Sequence, residues 1–275
     1  MKAIVCALHC EAKPIIKRLK LQKIDLINAF QVFKADDVHL VISGVGRIKA
    51  VIATAALLSK ISSEQSLNSI LILNIGTCGA RPELKPGTVV LPHTITSAVS
   101  KRKFFQDIIT RHEFKEVSLL TSEQPLSDPT LLKTDCVDME AHGFYEAAAS
   151  FLKTVQIYTI KIVSDHCSGE ILEKDFISKL LEDNLDAVFE FVDSHHKAIR
   201  SSPVLNNNER ELLERLSKTL KLTAFQKNEL ANIAASFKIR KKLDLGFLSS
   251  YESLRPNSKQ DSKVIFSKIQ AALNV

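Results

Sequence analysis

No apolar run among the 275 residues reaches the roughly 20 needed to cross a bilayer, so membrane residence is not expected. The segment after Met1 offers no cleavage site before it meets Lys13, Lys17 and Arg18, and secretion is not expected either. Cysteine is sparse and odd in number. Cys6, Cys10, Cys78, Cys136 and Cys167 are scattered over strand-like and loop-like stretches. They make no disulfide framework and predict reduced thiols in a cytoplasmic protein. Cys6, His9 and Cys10 have no second ligand cluster to complete a metal site, so no metal is expected, and no cofactor. Extreme charge and low hydrophobicity are missing too. Apolar residues make up 45% and charged residues 25%, which argues against disorder.

What is present divides the chain in two. Residues 201–275 hold 13 Lys+Arg and 7 Asp+Glu; the totals of 37 and 31 therefore leave 24 of each for residues 1–200. The basic excess belongs wholly to the tail, with a boundary near Ser201-Ser202-Pro203. Residues 1–200 alternate strand-like and helix-like segments, which predicts a layered α/β domain. Strands are expected at Lys2–Leu8, His39–Ile42, Ile70–Ile75, Val117–Thr121 and Tyr158–Val163, with another following the turn at Leu84-Lys-Pro-Gly. Helices are expected at Ala12–Leu21, with Pro14 in its first turn, and at Ile48–Ser59, Ala141–Phe151 and Ile171–His195. Residues 97–115 read as exposed loop or helix.

The informative residues collect at strand ends. Glu11 stands where the first strand hands over to a helix. Ser43-Gly-Val-Gly46-Arg47 is a glycine-rich turn before a helix, the kind that brings backbone amides close to an anion or a sugar. Gly76-Thr-Cys-Gly79 reads as a second such turn. Glu140 lies at the start of the Ala-rich helix, where free amides and the helix dipole favour a carboxylate that stays ionised. Such a group only accepts hydrogen bonds and suits two adjacent hydroxyls. Asp165 follows an apolar strand, where open α/β sheets place ligands; a carboxyl held protonated there can act as an acid. One acceptor and one acid about 25 residues apart predict a sugar site beside a leaving group.

Ala7-Leu-His-Cys-Glu11, Ser43-Gly-Val-Gly46, Asn74-Ile-Gly-Thr-Cys-Gly79, Leu84-Lys-Pro-Gly-Thr-Val-Val90, Val137-Asp-Met-Glu-Ala141 and Val163-Ser-Asp165 occur in this order over residues 1 to about 195. In this set the chain resembles the nucleoside phosphorylase superfamily, and most closely the 5′-methylthioadenosine/S-adenosylhomocysteine nucleosidases. The resemblance implies a three-layer αβα domain with a central mixed sheet over residues 1–200. It implies hydrolysis of the N-glycosidic bond of an adenine nucleoside, 5′-modified, by a cytoplasmic homodimer.

Residue by residue, the resemblance gives Asp165 the protonation of the purine and Glu11 the activation of water. Glu140 would hold the ribose hydroxyls with Met139 against the sugar. Ser43, Gly44, Gly76 and Thr77 would line the ribose and water side, Ser164 would accompany Asp165, and Leu126 stands at the family's purine-stacking Phe. A phosphorylase would place arginine at the glycine turns to hold phosphate, whereas here the strand delivers Asn74 and the first turn carries Glu11. Water is therefore preferred, with phosphorolysis by Arg47 and a catalytically weak nucleoside-binding protein as alternatives. For the tail, residues 201–275, a small all-helical extension is expected: Asn206 caps a helix through Leu220, and Thr223–Phe237 and Ser262–Leu273 follow. Its Lys and Arg form no one-sided stripe, so nucleic acid is not the expected partner.

Overall fold

The computed structural model describes residues 1–25, 27, 29–169, 172–201 and 205–274. The chain divides into two compact units, Met1–Arg200 and Ser201–Val275.

The first unit is built on apolar strands that are buried on both faces. β1 (Lys2–Cys6) lies between β4 (Val38–Ile42) and β5 (Leu71–Ala80), parallel to both. β4 continues outward through β3 (Gln31–Ala35) to β2 (Gln22–Ile24), both pairings antiparallel. On its other side β5 pairs in parallel with β10 (Ile157–Asp165). β10 meets β6 (Val89–Ser97), β6 meets β8 (Lys115–Thr121), and β8 meets β9 (Cys136–Asp138), which returns to β5. Five strands thus close a ring, and β7 (Lys103–Phe105) edges β6.

Helices α2 (Arg47–Glu64) and α3 (Ala141–Ala149) cover one face, burying Ala53, Leu57, Ile61, Phe144 and Ala148. α1 (His9–Arg18) and α4 (Lys174–Ser201) cover the other, burying Ile15, Leu181, Leu185, Val188 and Val192. This is the expected three-layer αβα arrangement with a mixed sheet. Each such side chain contributes on the order of 1.5–3 kcal/mol by leaving water. Two close contacts set the helices. Pro14 sits inside α1 rather than in its first turn; it has no N–H for the Cys10 carbonyl, and the Ser178 hydroxyl of α4 donates to that carbonyl instead, at 2.8 Å. Gly143 lets α3 cross the start of α2, because a Cβ there would lie 2.3 Å from the Arg47 carbonyl.

Several expectations need correction. Gly76-Thr-Cys-Gly79 is strand, not turn: β5 runs through it, with Gly76 opposite Lys161 and Gly79 opposite Asp165 of β10. The hairpin of β2 and β3 was not expected, and residues 97–115 hold β7 among irregular backbone. Of the helix expected from Ile171, that residue lies outside the described ones, and α4 begins at Lys174.

In the second unit, α5 (Asn207–Thr219), α6 (Ala224–Lys241) and α7 (Lys259–Asn274) surround Leu212, Leu216, Leu230, Leu248 and Ile269. Asn206 caps α5 as expected, its Oδ1 accepting from Glu209 N at 2.9 Å while Glu209 Oε2 accepts from Asn206 N at 2.8 Å. Lys238 of α6 pairs with the same carboxylate at 2.5 Å.

Candidate active site

A cavity of about 340 Å³ opens where the C-terminal ends of β1, β5 and β10 meet the start of α3. It brings together Glu11, Thr77, Leu126, Met139, Glu140, Ser164 and Asp165. Ser43, Gly44 and Gly76 stand outside its lining. The Ser43 hydroxyl turns to backbone, donating to the Gly44 carbonyl at 2.9 Å and the Cys6 carbonyl at 3.3 Å. Gly76 backs Glu11.

Glu11 occupies the third position of α1, and four donors hold its carboxylate. Oε2 accepts from Ala7 N at 3.1 Å and Leu8 N at 3.0 Å, the backbone half of a capping box. Oε1 accepts from Thr77 N at 2.8 Å and the Thr77 hydroxyl at 3.0 Å. A helix start and a strand end are thereby locked together by one side chain.

Asp165 owes its placement to a bulge. Opposite Val163 and Asp165 stand the consecutive residues Cys78 and Gly79, so Ser164 is extra in β10. Bulges re-aim side chains, and both Ser164 and Asp165 line the cavity. Asp165 Oδ1 accepts from Cys167 N at 2.7 Å, and Oδ2 from the Ser164 hydroxyl at 2.6 Å.

Glu140 differs from expectation. It is the N-cap residue of α3 but does not cap its helix. That task falls to Asp138, which accepts from Ala141 N at 2.8 Å, and to Thr121, whose hydroxyl accepts from His142 N at 2.9 Å. Glu140 Oε1 instead reaches across to accept from Gly46 N at 2.9 Å. Gly46 presents that amide at φ 110°, a conformation that favours glycine. Burial pushes Glu140 up to about 7, partly offset by the Lys161 ammonium and reinforced by Asp138. The carboxyl therefore titrates near neutrality, and helix amides do not keep it ionised as expected.

Sequence reasoning passed over two residues here. Lys161 of β10 is 1% exposed, with its Nζ 2.9 Å from Asp138 Oδ2 and 4.0 Å from Glu140 Oε2. Burial works against its charge, but Asp138, Glu140 and Glu11 outweigh that and hold the ammonium above the ordinary lysine range. A lysine inside an apolar strand was the available signal, since a buried charge demands a partner. Asp138 lines the cavity from β9. Val45, Cys78, Gln124, Pro125 and Cys167 also line it. Arg47, the phosphate candidate, is engaged by Glu123, its Nε donating to Oε1 at 2.5 Å. Among the described residues, no group of His, Cys, Asp and Glu is arranged to hold a metal ion.

A family model described as the phosphorylase superfamily matches residues 2–134. No curated protein matches the sequence. Among solved structures, the 5′-methylthioadenosine/S-adenosylhomocysteine nucleosidase of Helicobacter pylori with butyl-thio-DADMe-Immucillin-A is similar at a TM-score of 0.58 and 13% identity, over 70% of this chain and 97% of that one. The futalosine hydrolase of the same organism gives 0.58 and 14%, over 70% and 97%. The nucleosidase from S. pneumoniae with a transition-state inhibitor gives 0.59 and 16%, over 70% and 99%. At these identities the likeness concerns the fold. In sequence over residues 2–134, and in fold, the chain resembles the phosphorylase superfamily and the nucleosidases of that architecture.

Proposed function

We propose that the first unit, residues 1–200, is a nucleosidase that hydrolyses the N-glycosidic bond of an adenine nucleoside carrying a 5′-substituent, of the methylthioadenosine or S-adenosylhomocysteine type. One observation carries this reading: Glu11, Asp138, Glu140 and Asp165 line a single cavity, with no Arg or Lys among its described lining residues. Cleavage of a glycosidic bond passes through an oxocarbenium-like state, which such a cavity stabilises electrostatically. A dianionic phosphate would be repelled there, and Arg47 already has its partner in Glu123. Water is the nucleophile that fits.

In this reading Asp165 gives a proton to purine N7, making the base a neutral leaving group. Glu140 accepts from the ribose hydroxyls, and Met139 packs on the sugar. Glu11 orients the attacking water and takes its proton, steadied by Thr77 with Gly76 behind it. Ser164 holds the Asp165 rotamer and Leu126 faces the base, while Ser43 and Gly44 shape the turn that delivers the Gly46 amide to Glu140. General acid and general base assistance each supply roughly a hundred- to ten-thousand-fold.

The finer reading includes a cytoplasmic homodimer. Val45, 41% exposed, lines the cavity, and Ile48 and Ile52 on the adjacent α2 are 61% and 52% exposed, an apolar patch suited to a second copy. The test is incubation with methylthioadenosine, adenosine and inosine, with and without phosphate, followed by detection of free base. Release from methylthioadenosine without phosphate is expected. Release that strictly needed phosphate would overturn hydrolysis, and no release from any nucleoside would leave a binding protein.

A further inference from the structure

The strand that ends in Asp165 carries a second charged residue with no part in the reaction as described. Lys161 lies four residues before Asp165, on the same strand and wholly inside the sheet. An ammonium stripped of water is costly unless paired. Its pairing is unequal. Asp138 sits at hydrogen-bond distance, 2.9 Å, whereas Glu140 stands at 4.0 Å with its other oxygen on the Gly46 amide.

Asp138 is itself immobilised by the Thr121 hydroxyl at 2.7 Å and by the Ala141 amide, so the ammonium is anchored from one side and aimed at Glu140 from the other. The remaining groups around it are the Glu11 carboxylate from α1 and the thiols of Cys6 on β1 and Cys78 on β5. Both thiols are buried; burial pushes Cys6 up, and the hydrogen bond with Cys136, with burial after it, pushes Cys78 up, so they add no competing charge. Lys161 is therefore the one cation set among Glu11, Asp138 and Glu140 by the described residues.

We propose that Lys161 is a positioning residue of this cavity: held by Asp138, its ammonium faces Glu140 and favours the charged form of that carboxyl, the form that can accept from two ribose hydroxyls. Without that charge, a buried Glu140 facing Asp138 and Glu11 would retain its proton through the neutral range. A protonated carboxyl has lost one of its acceptor sites to an O–H. The geometry thus makes sugar binding depend on a residue that touches no substrate.

The inference rests on the nucleosidase reading for its consequence but not for its physical core, and the experiment separates them. Carboxyl ¹³C resonances of glutamate-labelled protein, with Glu140 identified by its absence in Glu140→Gln, report the titration directly. The double variant Lys161→Met with Asp138→Asn removes the ion pair without stranding a buried charge. In it the Glu140 midpoint should lie about one pH unit or more above that of Asp138→Asn alone, and in Lys161→Arg it should stay near the wild-type value. The pH profile of kcat/KM for methylthioadenosine should move in step. A midpoint in the double variant no higher than in Asp138→Asn overturns the proposal. A shifted midpoint in a protein that releases no base from any nucleoside upholds the charge relationship and sinks only the hydrolase reading.

Discussion

Gly76 and Glu11 fit one another so closely that a Cβ on Gly76 would lie 2.7 Å from Glu11 Oε1. The glycine is thus required by the carboxylate behind it and not by any turn, since β5 runs straight through this position. Gly76→Ala should displace Glu11 from Thr77 by a few tenths of an ångström or more. Because misplacing a reacting group by about 1 Å costs on the order of a hundredfold, base release should fall roughly 10- to 100-fold. Chromatographic assay of adenine together with nucleoside affinity checks this, and affinity should change only a few-fold.

Replacing the proposed acid, Asp165, is the sharper test of mechanism. Asp165→Asn keeps the size of the side chain and can still accept from Cys167 N, but it has no proton to give to a leaving base. Release of base should drop by roughly two to four orders of magnitude while nucleoside binding survives. Single-turnover kinetics and equilibrium binding on the same sample separate the two effects.

Glu140 links function to stability. With its folded value near 7 and an ordinary value of 4.5, the folded state holds the proton more tightly between those limits. Stability from this group is fully present at pH below about 4.5 and is lost as pH rises to about 7. Glu140→Gln keeps an oxygen for the Gly46 amide and removes the cost of ionisation. At pH 8 it should stabilise the protein by on the order of 1–3 kcal/mol, with the gain shrinking towards pH 5. Thermal unfolding at several pH values reads this directly, and the same variant should bind nucleoside poorly.

Arg47 and Glu123 join the glycine turn to the 122–126 loop, whose Gln124, Pro125 and Leu126 line the cavity. The pair is partly exposed, so it is worth only about 0.2–1 kcal/mol. Glu123→Ala should raise KM for methylthioadenosine about 1.5- to 5-fold and leave kcat nearly unchanged. Reversing both charges, Arg47→Glu with Glu123→Arg, should recover most of the loss.

The tail should fold by itself. Leu216 and Ile269 are fully buried in the core that the helices of residues 201–275 form among themselves. Expressed alone, this segment should show helical circular dichroism and a cooperative thermal transition. Leu216→Ala should cost about 2–5 kcal/mol, enough to abolish the transition in so small a unit.

The alternation of buried strands with helices was legible because apolar runs such as Ile70–Ile75 and Tyr158–Val163 read as buried strands. Glu11, Glu140 and Asp165 were legible as strand-end and helix-start acids. What escaped has physical reasons. Periodicity does not register a bulge, so strand alternation alone would have sent Ser164 and Asp165 to opposite faces, and only the family resemblance put both in the site. Lys161 stood unmarked inside an apolar strand until its partners, 21 and 23 residues earlier at Glu140 and Asp138, came together around it. Asp138, not Glu140, proved to cap α3, because the cap falls to whichever carboxylate can turn back to the amides. β2 has only 3 residues, too few for alternation to show, and in β3 the buried neighbours Val32 and Phe33 do not alternate with polar residues.

Ring closure also has a consequence for how these molecules behave in a crowd. Among the described strands, a free margin remains only at β2 and β7, each of 3 residues, with Lys23 in one and Lys103 in the other. A short margin carrying a positive charge is a poor template for a neighbour's backbone. Growth into ribbons by strand recruitment is therefore blocked at both exits, and partners must join through side chains.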